Sequence, residues 1–236
     1  IYLLLIALSF FYKTVQSQLV ACVPEGEQTQ GFIARFFPYT INDQKAITSL
    51  DYVNGGYLQD SPIGEVDGII EPYFNFRPCV LSNTQHTCDP PNSYSLGKRG
   101  YYYCGKTKCK NPKTSVVSGI SVYGFPITAT NFTVELTGYL YINVSGLYTF
   151  SIDSVDDAAG ISIGAGVAFD CCDQNTTNVS ANASLSVNGM KPWTASSPPI
   201  SDTIYLFAGH YYPVKVVYVN MMNQGMMSTS VTGPDG

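Results

Sequence analysis

Residues 211–220 read YYPVKVVYVN. Successive side chains of an extended chain point to opposite faces, so Val214, Val216 and Tyr218 line one face and Lys215, Val217 and Val219 the other. The same alternation recurs in NFTVELTGYLYI (131–142), GLYTFSI (146–152), AGISIG (159–164) and DTIYLFAG (202–209), with GFIARFFPY (31–39) as an earlier strand. Helical periodicity of useful length is absent, and Pro and Gly mark the turns. Composition agrees: 18 Tyr and 12 Phe, with abundant Thr, Val and Gly, favour strands and turns. A chain of 236 residues patterned this way is expected to be all-β, as an antiparallel sandwich or a barrel. Charged residues make up only 12%, and the net charge is −5. An acidic surface repels phosphates and anionic lipid, which argues against nucleic-acid partners and direct membrane binding.

The chain opens on IYLLLIALSFFYKTVQSQ. The apolar run over residues 1–11 is too short to cross a bilayer, and Val15 and Ser17 suit a cleavage site. Residues 1–17 therefore read as a secretory signal peptide lacking its first residues, with a buried strand or helix as the alternative. Secretion fits the five glycosylation sequons at Asn131, Asn143, Asn175, Asn178 and Asn182. It also favours disulfides among Cys22, Cys79, Cys88, Cys104, Cys109, Cys171 and Cys172. Seven is odd, so one thiol lacks a partner within the chain. Cys171 and Cys172 are adjacent and are expected to bond elsewhere. Cys104 and Cys109 have a spacing compatible with zinc, but no His or second pair completes such a site. Residues 78–112 carry four cysteines and little alternation, and read as a disulfide-pinned excursion of long loops. Residues 18–236 are expected to form one domain whose C-terminal end is cut short.

The chemically suggestive stretch is TFSIDSVDDAAGISIGAG (149–166), which reads as strand, sharp loop, strand. Two carboxylates with an amide and backbone carbonyls make a hard oxygen site that suits Ca²⁺, which takes about six to eight oxygens. Asn220 ends a strand just before the loop MMNQG. If the sheet brings the loops together, Asp156, Asp157 and Asn220 converge. A solvated Asp-Asp turn is the competing reading.

GLYTFSIDSVDDAAGISIGAGVAFDCC, then NGMKPW and FAGHYYPVKVVYVN, resemble the lectin domain of yeast flocculins and of the epithelial adhesins of pathogenic yeasts. These belong to the wider group of protective-antigen-like β-sandwiches. The resemblance runs from ACVPEG through the cysteine-rich excursion. It implies a cis peptide between Asp156 and Asp157 that turns both carboxylates to one side, where they chelate Ca²⁺. It also implies Asn220 as the amide ligand and the backbone carbonyls of Met222 and Gln224 as further ligands. Two hydroxyls of a terminal hexose would complete the coordination, with Met221, Met222, Asn223 and Gln224 forming the sugar-side loop. Cys22 would bond one of Cys171 and Cys172, the other would bond a cysteine beyond Gly236, and the four excursion cysteines would form two bridges.

The sequence departs from the flocculin pattern. Gln224 stands where flocculins have a Trp, and the region of Pro90 stands where they have a sugar-contacting Gln. Met221, Met222, Met226 and Met227 make the second loop apolar and adaptable, either as a rim suited to an N-acetyl group or packed inward. Trp193 is either a stacking face for a sugar or a buried anchor. Lys191 reads as a solvated residue that could also reach a second sugar or a phosphate. His86 and His210 are isolated, and His210 reads as a strand-end residue.

The resemblance implies a non-catalytic, calcium-dependent lectin at the surface of a fungal cell wall. It would bind terminal mannose, N-acetylglucosamine or galactose of cell-surface glycans as a monomeric domain displayed in many copies. Two alternatives are a glycoside hydrolase or its accessory module and a calcium-stapled structural β-domain. The first requires two carboxyls flanking a bond at about 5–5.5 Å or about 6.5–9.5 Å. Adjacent acids on one ion cannot do this, and Glu71 and Glu135 read as isolated.

Overall fold

The computed structural model describes residues 19–22, 29–38, 52–76, 94–99, 103–104, 107–108, 116–128, 132–170, 176–179, 185–190, 199–220 and 225–236. Among these residues there are seventeen strands. They are β1 (Leu19–Cys22), β2 (Phe32–Pro38), β3 (Gly64–Ile69), β4 (Phe74–Phe76), β5 (Tyr94–Arg99), β6 (Tyr103–Cys104), β7 (Thr107–Lys108), β8 (Val116–Val122) and β9 (Phe125–Thr128). They continue as β10 (Phe132–Tyr141), β11 (Gly146–Asp156), β12 (Ala158–Ile163), β13 (Thr176–Val179), β14 (Leu185–Met190), β15 (Ile200–Leu206), β16 (Tyr211–Asn220) and β17 (Gly225–Thr232).

Two antiparallel sheets supply the architecture. The larger runs β13-β1-β16-β10-β2-β3, with β12 paired to both β16 and β14. The smaller runs β15-β11-β17-β4. Their inner faces share one core. Phe36, Leu136, Ile161, Val216 and Tyr218 come from the larger sheet, and Phe150, Ile152, Ile204, Leu206 and Met227 from the smaller. This is a β-sandwich, in which facing sheets interdigitate alternate side chains. Each such side chain contributes roughly 1.5–3 kcal/mol on burial.

The alternation in β16 is realised. Val214, Val216 and Tyr218 enter the inter-sheet core. Val217 and Val219 are buried on the opposite face, in a second cluster with Phe37, Tyr52, Val53, Tyr57 and Ala158. That cluster exists because residues 52–60, with a 3-10 turn at Gly56–Gln59, lie over the outer face of the larger sheet. Covering both faces explains why β16 reads as a nearly continuous apolar run.

Two expectations change. Residues 78–112 contain short strands as well as loops: β5 pairs with β8, and β6 with β7. The sharp loop expected around Asp156 and Asp157 is a corner. β11 runs through Asp156, β12 starts at Ala158, and only Asp157 lies between them. Because β11 belongs to the smaller sheet and β12 to the larger, the chain changes sheet at this point.

Candidate functional site

The corner is built by strand register. Ala158 faces Val219 in the β12–β16 ladder, and the Asp157 N–H donates to the Val219 carbonyl oxygen at 3.3 Å. Asn220, the next residue of β16, therefore lies beside Asp157. Asn220 also faces Phe132 of β10, which fixes it from the other edge. On the smaller sheet Asp156 faces Met226 of β17. The Asp156–Asp157 peptide is cis, as the resemblance implies. Asp157 is 7% exposed and Asn220 is fully buried.

Beneath the corner lies Tyr218, a fully buried core residue. Its hydroxyl donates to the Asp156 carbonyl oxygen. Its phenol is pushed well above the ordinary tyrosine range, first by burial and then by the charges of Asp157 and Asp156. Both carboxylates thus act on one buried group.

The donor set fits a hard cation. Two carboxylates and an amide oxygen are ligands that Ca²⁺ accepts, alongside backbone carbonyls and ligand hydroxyls. Among the described residues no three His, Cys, Asp or Glu side chains gather to hold a metal, so this set depends on the Asn220 amide and on further oxygens. Met221, Met222, Asn223 and Gln224 lie outside the described residues. The structure therefore brings together Asp156, Asp157 and Asn220 from the expected set.

Other expectations divide similarly. Cys22 is fully buried and disulfide-bonded. It faces Thr176 of β13. Cys79, Cys88, Cys109, Cys171 and Cys172 lie outside the described residues, and Cys104 ends β6. Among the sequons, Asn143 is exposed between β10 and β11 and Asn178 falls in β13, whereas Asn131, Asn175 and Asn182 lie outside the described residues. So do His86, Lys191 and Trp193. His210 directly precedes β16, with Nδ1 at 2.9 Å from the Ala208 carbonyl oxygen, which is the strand-end role expected of it. Glu71 is exposed. Glu135 is not isolated: it is buried and accepts a hydrogen bond from the Tyr57 hydroxyl. Its signal in the sequence is its place between Val134 and Leu136 in a strand covered on both faces.

The model of the PA14 domain family matches residues 86–236. The chain belongs to this family. Among relatives of this PA14 domain, flocculation protein FLO1 of Saccharomyces cerevisiae is 36% identical over 219 residues, covering 92% of the chain and 14% of that protein. Flocculation protein FLO9 of the same yeast is 34% identical over 227 residues, covering 95% of the chain and 17% of that protein. The PA14 domain thus spans only about one-seventh to one-sixth of the length of these relatives. Among solved structures, the A domain of epithelial adhesin 6 from Candida glabrata, in complex with Galβ1-3GlcNAc, superposes with a TM-score of 0.57 at 21% identity. That match covers 93% of this chain and 87% of the other. The A domain of epithelial adhesin 9 from the same organism, in complex with Galβ1-4GlcNAc, gives 0.57 at 18% identity, covering 92% and 88%. These likenesses show a common fold.

Proposed function

We propose that this PA14 domain is a non-catalytic, calcium-dependent lectin module of a fungal cell-surface adhesin. The observation that supports it best is the Asp156–Asp157 corner, held beside the buried Asn220 by the β12–β16 register. It occurs in a chain related to flocculation proteins over nearly its whole length. Bound Ca²⁺ would supply a positive centre whose open coordination positions take sugar hydroxyls. Asp156 and Asp157 would hold it with their carboxylates and Asn220 with its amide oxygen. Met222 and Gln224 would add backbone carbonyls, and Met221 and Asn223 would line the sugar side of the loop.

The ligand would be a terminal hexose of a cell-surface glycan. We put mannose and N-acetylglucosamine ends first, and the galactose-containing ligands bound by the superposed adhesins lend support to galactose ends as well. One sugar held through few contacts binds weakly, so adhesion would come from many copies acting together. Surface display agrees with secretion, and no helix among the described residues is long and apolar enough to cross a membrane.

A glycan array read in calcium and again in chelator tests this, with Asp157→Ala alongside. The expected result is binding to terminal hexoses that disappears in chelator and in the variant. Binding that survives both would overturn the reading. Calcium-dependent thermal stability without any glycan signal would favour the structural staple.

A further inference from the structure

Tyr218 lies two residues before Asn220 on β16, with its side chain turned into the core. Its hydroxyl does more than satisfy itself there. It donates to the Asp156 carbonyl oxygen, and a backbone hydrogen bond from Met226 reaches the same hydroxyl. Asp156 and Met226 face each other across the β11–β17 ladder. Asp156 opens the corner that bears the two carboxylates. Met226 follows Gly225 at the start of β17, just after the connection that leaves Asn220. One hydroxyl on the larger sheet therefore ties together the two segments of the smaller sheet that flank the candidate oxygen ligands.

A phenol suits this task because its hydroxyl donates and accepts at once on a rigid ring. The ring is tilted against Phe132, at 6.0 Å between centroids, and Phe132 is itself the register partner of Asn220. The ring is therefore anchored at the same end of the sheet as Asn220.

Resting on the calcium-lectin reading, we infer that Tyr218 is a positioning residue that holds the Asp156–Asp157 corner against the start of β17 in its binding arrangement. Phenylalanine at this position would fill the same space but remove the donor from the Asp156 carbonyl oxygen. The corner would then sample other arrangements, and apparent affinity falls with the competent fraction. Affinity should suffer more than stability.

The test is a matched pair, Tyr218→Phe and Tyr212→Phe. Tyr212 is also fully buried on β16, and its hydroxyl accepts from the Phe207 N–H at 3.0 Å. It lies six positions away, roughly 20 Å along the strand. Three readouts are compared: thermal midpoint without calcium, calcium affinity by calorimetry, and hydrogen exchange of the Asp157 amide in calcium-free protein. Both variants should lose similar thermal stability. Only Tyr218→Phe should lose about tenfold in calcium affinity and show faster exchange at Asp157. Agreement of the two variants within about twofold in both readouts would overturn the inference. If the parent protein takes up no calcium, the lectin reading fails, and the exchange comparison still decides the role of Tyr218. Should Tyr218→Phe not fold, NMR of the parent protein decides. Calcium should shift the ring signals of Tyr218 and leave those of Tyr212 in place, and an unmoved Tyr218 counts against the inference.

Discussion

The Tyr57 hydroxyl donates to the Glu135 carboxylate across 78 residues of sequence. The bond fastens a short surface segment onto the outer face of the larger sheet. Tyr57 also meets Phe37 edge-on at 5.1 Å, and the Thr133 hydroxyl donates to the Tyr52 hydroxyl at 3.3 Å. The cover lies over Ala158, Val217 and Val219, the strand residues directly behind the Asp157 corner. Glu135 has a second partner: Arg35 Nη1 is 4.0 Å from its Oε1, while Arg35 Nε bonds exposed Glu65 at 2.8 Å. A buried carboxylate is tolerated only when hydrogen-bonded or paired, and Tyr57 provides the closer contact.

Tyr57→Phe should therefore destabilise the fold by about 1–3 kcal/mol, since Glu135 keeps only the distant guanidinium. For a chain of this size, that lowers the thermal midpoint by several degrees. The double variant Tyr57→Phe with Glu135→Leu should recover part of the loss, because replacing both partners by apolar groups removes the stranded charge. Scanning calorimetry checks the order. A double variant less stable than Tyr57→Phe alone would contradict it.

Gly160 marks a second tight contact beneath the same cover. A Cβ added there would lie 2.5 Å from Asn188 Oδ1 and 2.9 Å from Val53 Cγ1. The amide can swing away, but Val53 is buried and must move with its segment. Gly160→Ala should cost about 1–3 kcal/mol by overpacking. Adding Val53→Ala should make the pair less damaging than the sum of the two single changes, as residues in contact couple. Urea midpoints of the four proteins give the coupling, and strict additivity would place the strain elsewhere.

How far the sequence carried this structure depends on what alternation can report. β16 was legible to its ends because its two faces are both apolar and its neighbours break cleanly. The β11–β12 boundary was not. Alternation within a strand says nothing of which sheet it joins, so a change of sheet at Asp157 read as a loop. β17 shows little alternation because Met226 and Met227 are adjacent and Ser228, Thr229 and Ser230 put hydroxyls on both faces. Its register places two of the four methionines: Met227 is buried and Met226 is half-buried opposite Asp156, while Met221 and Met222 lie outside the described residues. Asp156, Asp157 and Asn220 could be named from their oxygen-donor chemistry and loop positions, with the resemblance in support, but Tyr218 was legible only as core, since a hydroxyl's partner depends on tertiary placement.

Alkaline pH should unfold this protein through its tyrosines. Tyr52, Tyr57, Tyr123, Tyr212 and Tyr218 all have phenols pushed above the ordinary range, in each case first by burial. In the unfolded chain phenols ionise near pH 10. Above that value the unfolded chain gives up protons that the folded chain keeps, so stability falls as pH rises. The contribution is whole below about pH 10 and is lost as pH climbs toward the folded-state values. Urea unfolding should give a constant free energy between about pH 8 and pH 9.5 and a steep decline above about pH 10. Tyr57→Phe should shallow that decline. A stability unchanged to about pH 11 would show that these phenols ionise as freely in the fold as outside it.

The calcium response of stability should depend on the charge of the corner. Asp156 and Asp157 place two negative charges side by side, and both act on Tyr218. Asp157→Asn keeps the shape of the side chain and removes one charge. In chelator, the two proteins give the calcium-free reference. In calcium the parent protein should gain more than the variant. A ligand that binds only the folded state stabilises it by about 2.7 kcal/mol at a hundredfold excess over its dissociation constant, and the variant should lose most of that gain. Thermal midpoints of both proteins, in chelator and across a calcium titration, give all four values. A calcium-induced rise of equal size in the two proteins would remove Asp157 from the ligand set.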